Sequence, residues 1–329
     1  MNVAVFSTQE FDQVYLTQAA QQSAISWRWL NESLTPETAH LAQGCEAVCA
    51  FVLDDLHEPT LNALNQLGVQ LIVLRSAGFN NLDVAAAHQL GLTVARAAAY
   101  SPNAVAEHAV TLLLTLIRKP CVAQARLKQA DGRLNGLLGF DLKGKTIGVI
   151  GTGRIGSQFT QIMLAFGCRI LANDVIENAS LIQAGVQYTN IENLLAQSDV
   201  VSLHCPLSND TRQLLDRQRL AQMKPGALLI NTARGGLVDT EAMISCLESG
   251  QLSGVGLDVV AGEESLFFSD HRNEGIINTA IAQLVNMPNV IMTPHQAFFT
   301  HEALTNIAQA TLANLQGWKT GTIPESNRL

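Results

Sequence analysis

Three polar side chains lie just past apolar runs in this 329-residue sequence: Arg234 in Asn231-Thr232-Ala233-Arg234-Gly235-Gly236, Glu263 soon after Leu257-Asp258, and His295 in Thr293-Pro294-His295-Gln296. A fourth such segment is Leu203-His204-Cys205-Pro206. Taken singly, each has a bland reading: a surface cation, a loop acid, a satisfied structural histidine. Taken together, and beside a glycine-rich turn, they fit hydride transfer to a carbonyl that neighbours a carboxylate. That chemistry needs a cation for the carboxylate, a proton donor for the carbonyl oxygen, and an acid to hold the donor charged.

The glycine-rich turn lies within 145–174. A β-branched run (146–150) leads into Gly151-Thr152-Gly153-Arg154-Ile155-Gly156, then an apolar stretch of helix length, then a second apolar run ending at Asp174. The spacing predicts strand, tight turn, helix, strand, acid. Gly151 permits the turn, Gly153 admits a pyrophosphate close to the backbone, and Gly156 lets helix and strand approach. The N–H groups of the helix start, at Arg154 and Ile155, face the ligand's charge. Asp174 is placed to accept hydrogen bonds from adenosine ribose hydroxyls. Its carboxylate repels a phosphate there, and Val175-Ile176 supply no cation to reverse this, so NAD is favoured over NADP.

The elements that must position these groups follow from periodicity. Residues 1 to about 100 alternate expected strands (3–6, 25–30, 47–52, 71–74, 93–95) with helical stretches (59–67, 84–90). After Asp174 the alternation resumes, with strands expected at 186–188, 200–203, 227–231, 255–258 and 290–292. Such alternation builds parallel sheets with helices on both faces, where ligands bind beyond the carboxyl ends of the strands. Ser101-Pro102 opens a long apolar helix that Pro120 is expected to end. It reads as the crossover between domains, and Val105, Leu112, Leu113 and Leu116 offer a surface for a subunit interface. Residues 124–139 read as an exposed excursion, and 302–318 as an amphipathic helix packing back on the N-terminal domain. Trp27 and Trp29 share one face of a strand and read as core packing.

Composition narrows the class. A hydrophobic fraction of 47% indicates large buried sheets, while a formal net charge of −8 argues against nucleic acid and anionic membrane as partners. The start lacks a basic segment followed by a long apolar one, so no secretory signal is expected. The six cysteines are scattered without ligands at metal spacing; no metal is expected, and reduced thiols in the cytoplasm are.

Along nearly its whole length the chain resembles the D-isomer-specific 2-hydroxyacid dehydrogenases, most closely their lactate branch. The motifs carrying the resemblance are Arg75-Ser76-Ala77-Gly78-Phe79-Asn80-Asn81-Leu82-Asp83, Ala99-Tyr100-Ser101-Pro102, Ala106-Glu107-His108-Ala109, the glycine turn, His204-Cys205-Pro206, Asn231-Thr232-Ala233-Arg234-Gly235 and His295-Gln296-Ala297-Phe298. The insertion beginning Ser265-Leu266-Phe267-Phe268 and the pair Phe298-Phe299 point to the lactate branch. The resemblance implies two doubly wound parallel-sheet domains: a flavodoxin-like substrate domain (1–100 with 299–329) and an inserted Rossmann NAD-binding domain (101–298). It implies reduction of pyruvate to D-lactate by NADH, with Arg234 clamping the 2-oxo acid, His295 as acid and base, and Glu263 keeping His295 in its acid form. Asp258 would bond the nicotinamide carboxamide, with His204, Pro206 and Thr232 lining the cofactor cleft. Backbone amides of Ser76, Ala77 and Gly78 would take the substrate carboxylate, and Phe51, Tyr100 and Phe298 would wall the pocket. A homodimer through the helix near Pro102 is the family-level expectation.

One departure stands out. The lactate members carry Tyr then Glu where this chain has Val260-Ala261, which predicts an altered loop around Glu263. His301 is a rival proton donor, placed in the next helical segment. The alternatives are a sibling enzyme for bulkier 2-oxo acids and, from another class, a non-catalytic NAD-sensing protein.

Overall fold

Twelve short apolar runs form strands, every one paired in parallel, in the computed structural model, which describes residues 1–329. The chain divides into two units, Met1–Ser101 with Phe298–Leu329, and Pro102–Ala297. The first unit contains β1 (Asn2–Val5), α1 (Glu10–Ala19), β2 (Ser26–Trp29), β3 (Ala47–Ala50), α2 (Glu58–Gln66), β4 (Leu71–Leu74), α3 (Val84–Gln89) and β5 (Thr93–Arg96). The second contains α4 (Pro102–Arg118), α5 (Pro120–Leu127), β6 (Thr146–Ile150), α6 (Arg154–Ala165), β7 (Arg169–Asn173), α7 (Ala179–Gln183), β8 (Gln187–Tyr188), α8 (Ile191–Gln197) and β9 (Val200–Leu203). It continues through α9 (Arg217–Gln222), β10 (Ala227–Asn231), α10 (Thr240–Glu248), β11 (Leu252–Leu257), α11 (Thr279–Asn286) and β12 (Val290–Met292). The last helix, α12 (His301–Thr320), returns to the first unit and packs on α1, β4 and β5, the placement expected for the tail.

The sheet orders are β2-β1-β3-β4-β5 and β12-β11-β10-β9-β6-β7-β8. The first is the flavodoxin-like order and the second the dinucleotide-binding order extended by one strand, so the expected α/β architecture is present. Residue parity explains how the first sheet is buried on both faces. Even-numbered Ala4, Val48, Ile72 and Val94 face one helix layer, and odd-numbered Val3, Cys49, Val73 and Ala95 face the other. Trp27 and Trp29 stack at 5.4 Å on edge strand β2, against the odd face.

Two expectations are corrected. Pro120 ends α4 but also opens α5: Lys119 takes a left-handed conformation (φ 52°), and proline at the first helical position needs no N–H partner. Irregular chain begins only after Leu127. The apolar face of α4 expected to serve an interface is covered: Leu112, Leu113 and Leu116 pack on the core of their own unit, and Val105 is buried. The exposed apolar side chains lie further on: Leu127, Leu134 and Leu138, the last 89% exposed.

The first sheet carries a buried cation at its carboxyl edge. Arg75 follows β4 at 4% exposure, donates to Cys49 O (3.0 Å) and Phe6 O (2.9 Å), and pairs with Asp12 of α1 at 3.2 Å. One side chain therefore ties the ends of β1, β3 and β4 to the first turn of α1. A buried guanidinium left without its counterion is strongly destabilised. Asp12→Ala is expected to lower unfolding free energy by about 3 kcal/mol, checked by urea denaturation; a loss within error of zero would show that the carbonyls alone satisfy Arg75.

Candidate active site

The glycine turn sits between β6 and α6, at the point where the strand order reverses. Gly151 has φ +92°, and a Cβ there would lie 2.5 Å from the backbone N of Cys205, which follows the neighbouring strand β9. A Cβ on Gly156 would lie 1.9 Å from the Gly151 carbonyl oxygen, so only glycine lets α6 seat against the turn. Gly153 has open space around it and caps α6 without a side-chain hydrogen bond, so the start of the helix is not covered by a capping side chain. Asp174, just beyond β7, accepts from Thr152 N (2.5 Å) and Thr152 Oγ1 (3.1 Å). Beyond it Val175 is 97% and Ile176 77% exposed, an apolar patch where a flat base can lie.

Two orphaned polar atoms mark the wall of this region. His204 Nε2 bonds Ser202 Oγ at 2.8 Å, but its buried Nδ1 has no partner, and burial lowers its pKa to about 3, so the ring is neutral. Thr232 Oγ1 is likewise buried and unpartnered. Pro206, two residues after His204, is exposed. An uncapped helix start, an open glycine cradle, a pinned acid and orphaned polar atoms fit a dinucleotide.

The three candidate catalytic residues all belong to the second unit. Arg234 follows β10 in a loop shaped by buried Asn231, whose side chain accepts from Ala233 N (3.0 Å) and donates to Arg234 O (2.9 Å). The guanidinium is half-buried, donates to Ala233 O (2.6 Å), and has no ion-pair partner in the chain. Its remaining donors are available to an external carboxylate. His295 follows β12 with a left-handed backbone (φ 51°), rare for a non-glycine residue and a mark of a constrained site. Its Nδ1 lies 2.7 Å from Glu263 Oε1, with both side chains largely buried. A carboxylate oxygen only accepts, so Nδ1 carries the hydrogen and Nε2 is the nitrogen left to exchange a proton.

With Val260-Ala261 in the loop, this pairing is present. Val260 N donates to Glu263 Oε2 at 2.9 Å while the Val260 side chain is buried in the core. The backbone N–H at 260, which any residue but proline supplies, bonds the Glu263 carboxylate.

Asp258, expected to bond the nicotinamide carboxamide, has its side chain turned inward at 0% exposure. Oδ1 accepts from Gln296 N (2.9 Å) and Thr293 Oγ1 (2.6 Å) and lies 3.3 Å from His108 Nε2; Oδ2 accepts from Ala297 N (2.9 Å). Its carbonyl accepts from His295 N (2.8 Å). Asp258 holds the loop that carries His295. His108, on α4, was quoted in the sequence without a role; a polar residue on an otherwise buried helical face was the signal available.

In the first unit, Phe51 follows β3 and Ser76, Ala77 and Gly78 follow β4, on adjacent strands of the carboxyl edge. Phe51 is fastened by Asp54 Oδ2 at its N–H (2.6 Å) and by Asn81 Nδ2 at its carbonyl (3.2 Å), with Arg75 Cζ 5.2 Å from the ring centroid. Ser76 Oγ bonds Gly78 O (2.7 Å), and Arg96 donates to Ala77 O (2.6 Å). Tyr100 O accepts from Asn306 of α12 (2.6 Å). Phe298 lies 6.3 Å from Phe11 of α1, and Phe11 packs 5.0 Å from Phe299; Phe11 lies in no motif of the sequence, and only the fold brings it to Phe298 and Phe299. His301 also belongs to this unit, bonded through Nδ1 to Tyr15 (2.8 Å) with no carboxylate partner.

The chain is similar to known proteins along its whole length. The family model for the D-isomer specific 2-hydroxyacid dehydrogenase, NAD binding domain, matches residues 110–297. The chain is 44% identical to D-lactate dehydrogenase of Escherichia coli (strain K12), covering 98% of each, and 46% identical to 2-hydroxyacid dehydrogenase homolog 1 of Schizosaccharomyces pombe, covering 96% and 95%. Among solved structures it is similar to D-lactate dehydrogenase of Aquifex aeolicus complexed with NAD and lactic acid (TM-score 0.90, 33% identity, covering 100% and 99%).

Burial alone would raise the pKa of Asp258, but hydrogen bonds from His108, Thr293 and Ala297 N outweigh it and hold the carboxyl below its ordinary value. The lowered value stabilises the fold above about pH 4, and that stability is lost as pH falls through the folded-state pKa. Asp258→Asn is therefore expected to lose about 2 kcal/mol at pH 7, with the deficit shrinking below about pH 4. Denaturation at both pH values checks this; a deficit independent of pH would assign the loss to packing rather than charge.

Proposed function

The chain belongs to the D-isomer-specific 2-hydroxyacid dehydrogenases, and from that premise we propose that it reduces pyruvate to D-lactate with NADH. The observation that carries this reading is the buried Glu263–His295 pair at 2.7 Å, in the same unit as an arginine without an internal counterion. Bound at the glycine turn, NADH supplies the hydride. Arg234 binds the 2-oxo acid through its carboxylate and polarises the carbonyl with charge-assisted hydrogen bonds. His295 gives its Nε2 proton to the carbonyl oxygen as that carbon is reduced, and takes it back in the reverse direction. Glu263 fixes the ring orientation and stabilises the imidazolium. Arg154, Ile155 and the three glycines receive the pyrophosphate, Asp174 the ribose hydroxyls, and His204, Pro206 and Thr232 line the cleft. Ser76, Ala77 and Gly78 supply further amides for the carboxylate, and Phe51, Tyr100 and Phe298 restrict the substrate side chain.

The aromatic side chains Phe51, Phe298 and Phe299 support a small substrate, as does the likeness to several proteins named D-lactate dehydrogenase. No helix is long and apolar enough to cross a membrane, and none of the six cysteines is in a disulfide. We place the enzyme in the cytoplasm, where it would restore NAD.

Pyruvate-dependent NADH oxidation at neutral pH, followed by chiral analysis, is expected to yield D-lactate. A larger kcat/KM for 4-methyl-2-oxopentanoate would assign the enzyme to bulkier acids. NADH binding without turnover of any 2-oxo acid would make it a sensor. Arg234→Gln and His295→Gln are each expected to lower kcat/KM by about 10²-fold or more, from lost electrostatic and acid–base contributions. His301→Gln should stay near wild type; the opposite pattern would move the proton donor to His301.

We also propose a homodimer, with the interface moved from α4 to the exposed apolar side chains of 122–138, because isolated proteins rarely leave such runs in water. Light scattering should give twice the 35.4 kDa chain mass, falling to one chain mass in Leu134→Asp/Leu138→Asp. A double variant that remains dimeric would place the interface elsewhere.

A further inference from the structure

We propose that Tyr188 and Thr152 are positioning residues that hold the Asp174 carboxylate for the coenzyme's adenosine ribose, and thereby set the preference for NAD over NADP. The inference rests on the assignment of Asp174 to the ribose hydroxyls and adds the residues that make that acid selective.

The observation is a chain of hydrogen bonds whose directions are fixed at both ends. Asn178 N–H donates to Tyr188 Oη at 3.0 Å. Tyr188 Oη donates to Thr152 Oγ1 at 2.8 Å, and Thr152 Oγ1 donates to Asp174 Oδ2 at 3.1 Å. A backbone N–H can only donate and a carboxylate can only accept, so each hydroxyl between them has its hydrogen assigned. Thr152 N–H adds a second bond to the same oxygen at 2.5 Å. Thr152 is held from its other side too, since its carbonyl accepts from Ser157 Oγ (2.6 Å), which in turn accepts from Asn178 Nδ2 (3.2 Å).

The fold makes this chain possible. Tyr188 stands on edge strand β8, opposite Ala172 of β7, and Asp174 comes two residues after Ala172. The tyrosine ring packs on the core beneath, so its hydroxyl is delivered at a set depth. Thr152 lies between Gly151 and Gly153, in the turn that takes the pyrophosphate. Its hydroxyl is committed to Asp174 and is not a donor to phosphate. Oδ1 of Asp174 takes no bond from Thr152 and accepts from Ile176 N at 3.2 Å.

The consequence is for discrimination. A carboxylate anchored through one oxygen presents the other at a fixed place, where it accepts from a ribose hydroxyl and repels a 2′-phosphate of charge about −2. Freed of its anchor, the side chain can swing away, losing the first interaction and relaxing the second. Nothing in the glycine fingerprint itself carries this, because threonine occupies one of its unspecified places.

The test is titration of NADH and NADPH by nucleotide fluorescence, without 2-oxo acid, on the full chain. Tyr188→Phe keeps the ring and removes the hydroxyl; Thr152→Val removes the hydroxyl at nearly constant volume; Thr152→Ser restores it. Thr152→Val is expected to weaken NADH binding about tenfold, the scale of one hydrogen bond to a charged group, and Tyr188→Phe about threefold, because the bond it removes joins two neutral hydroxyls. NADPH binding should hold or tighten, and Thr152→Ser should return both to wild type. An equal loss toward both nucleotides, or no loss toward NADH, would overturn the proposal. Asp174→Ala separates the two levels: if it leaves the NADH-to-NADPH ratio unchanged, the ribose assignment fails and the positioning role with it. If it collapses the ratio while the Tyr188 and Thr152 variants do not, the positioning role alone fails.

Discussion

The buried carboxylate of Asp258 is the constraint on which the second unit's active face depends. It stands at the end of β11, out of water, and receives two backbone N–H groups, a hydroxyl and an imidazole. A charge so placed is tolerable only because every donor around it points inward. In return, residues 293–297 have one available path, and His295 is forced into a left-handed conformation that a free loop would not adopt. The ring is thereby presented to Glu263, and the geometry behind the role proposed for Nε2 follows from the contacts of Asp258.

The first unit solves the same problem with the opposite sign. Arg75 gathers carbonyls from the ends of β1 and β3 and an acid from α1, while Asp54 gathers the N–H groups of Phe51 and Leu34. Parallel strands leave unpaired backbone groups at their carboxyl edge, where the chain must turn into the next helix. Charged side chains at that edge satisfy those groups in bulk and leave the loops rigid. The segments assigned to substrate, around Phe51 and Ser76–Gly78, are the loops so held.

Buried charge also explains why the Val260-Ala261 departure is harmless to the pair. Glu263 is positioned by the amide of residue 260 and by the close seating of Gly235, where a Cβ would lie 2.1 Å from the carbonyl carbon of Val260. Both contacts are to backbone, so the pairing of Glu263 does not rest on a polar side chain at 260 or 261, while the Val260 side chain packs in the core.

Local spacing determined much of this protein. The strand–turn–helix–acid order at 145–174, the alternation that builds two parallel sheets, and the polar residues at strand ends were legible because period and turn chemistry act within a few residues of one another. Tertiary structure decided the rest. It alone showed that Asp258 faces inward, that α4 spends its apolar face on its own sheet, and that Pro120 starts a helix as well as ending one. It alone joined Tyr188 to Asp174 through Thr152. Each of these depends on which groups from distant segments meet in a dry interior, and burial, unlike periodicity, is not written in any one stretch of chain.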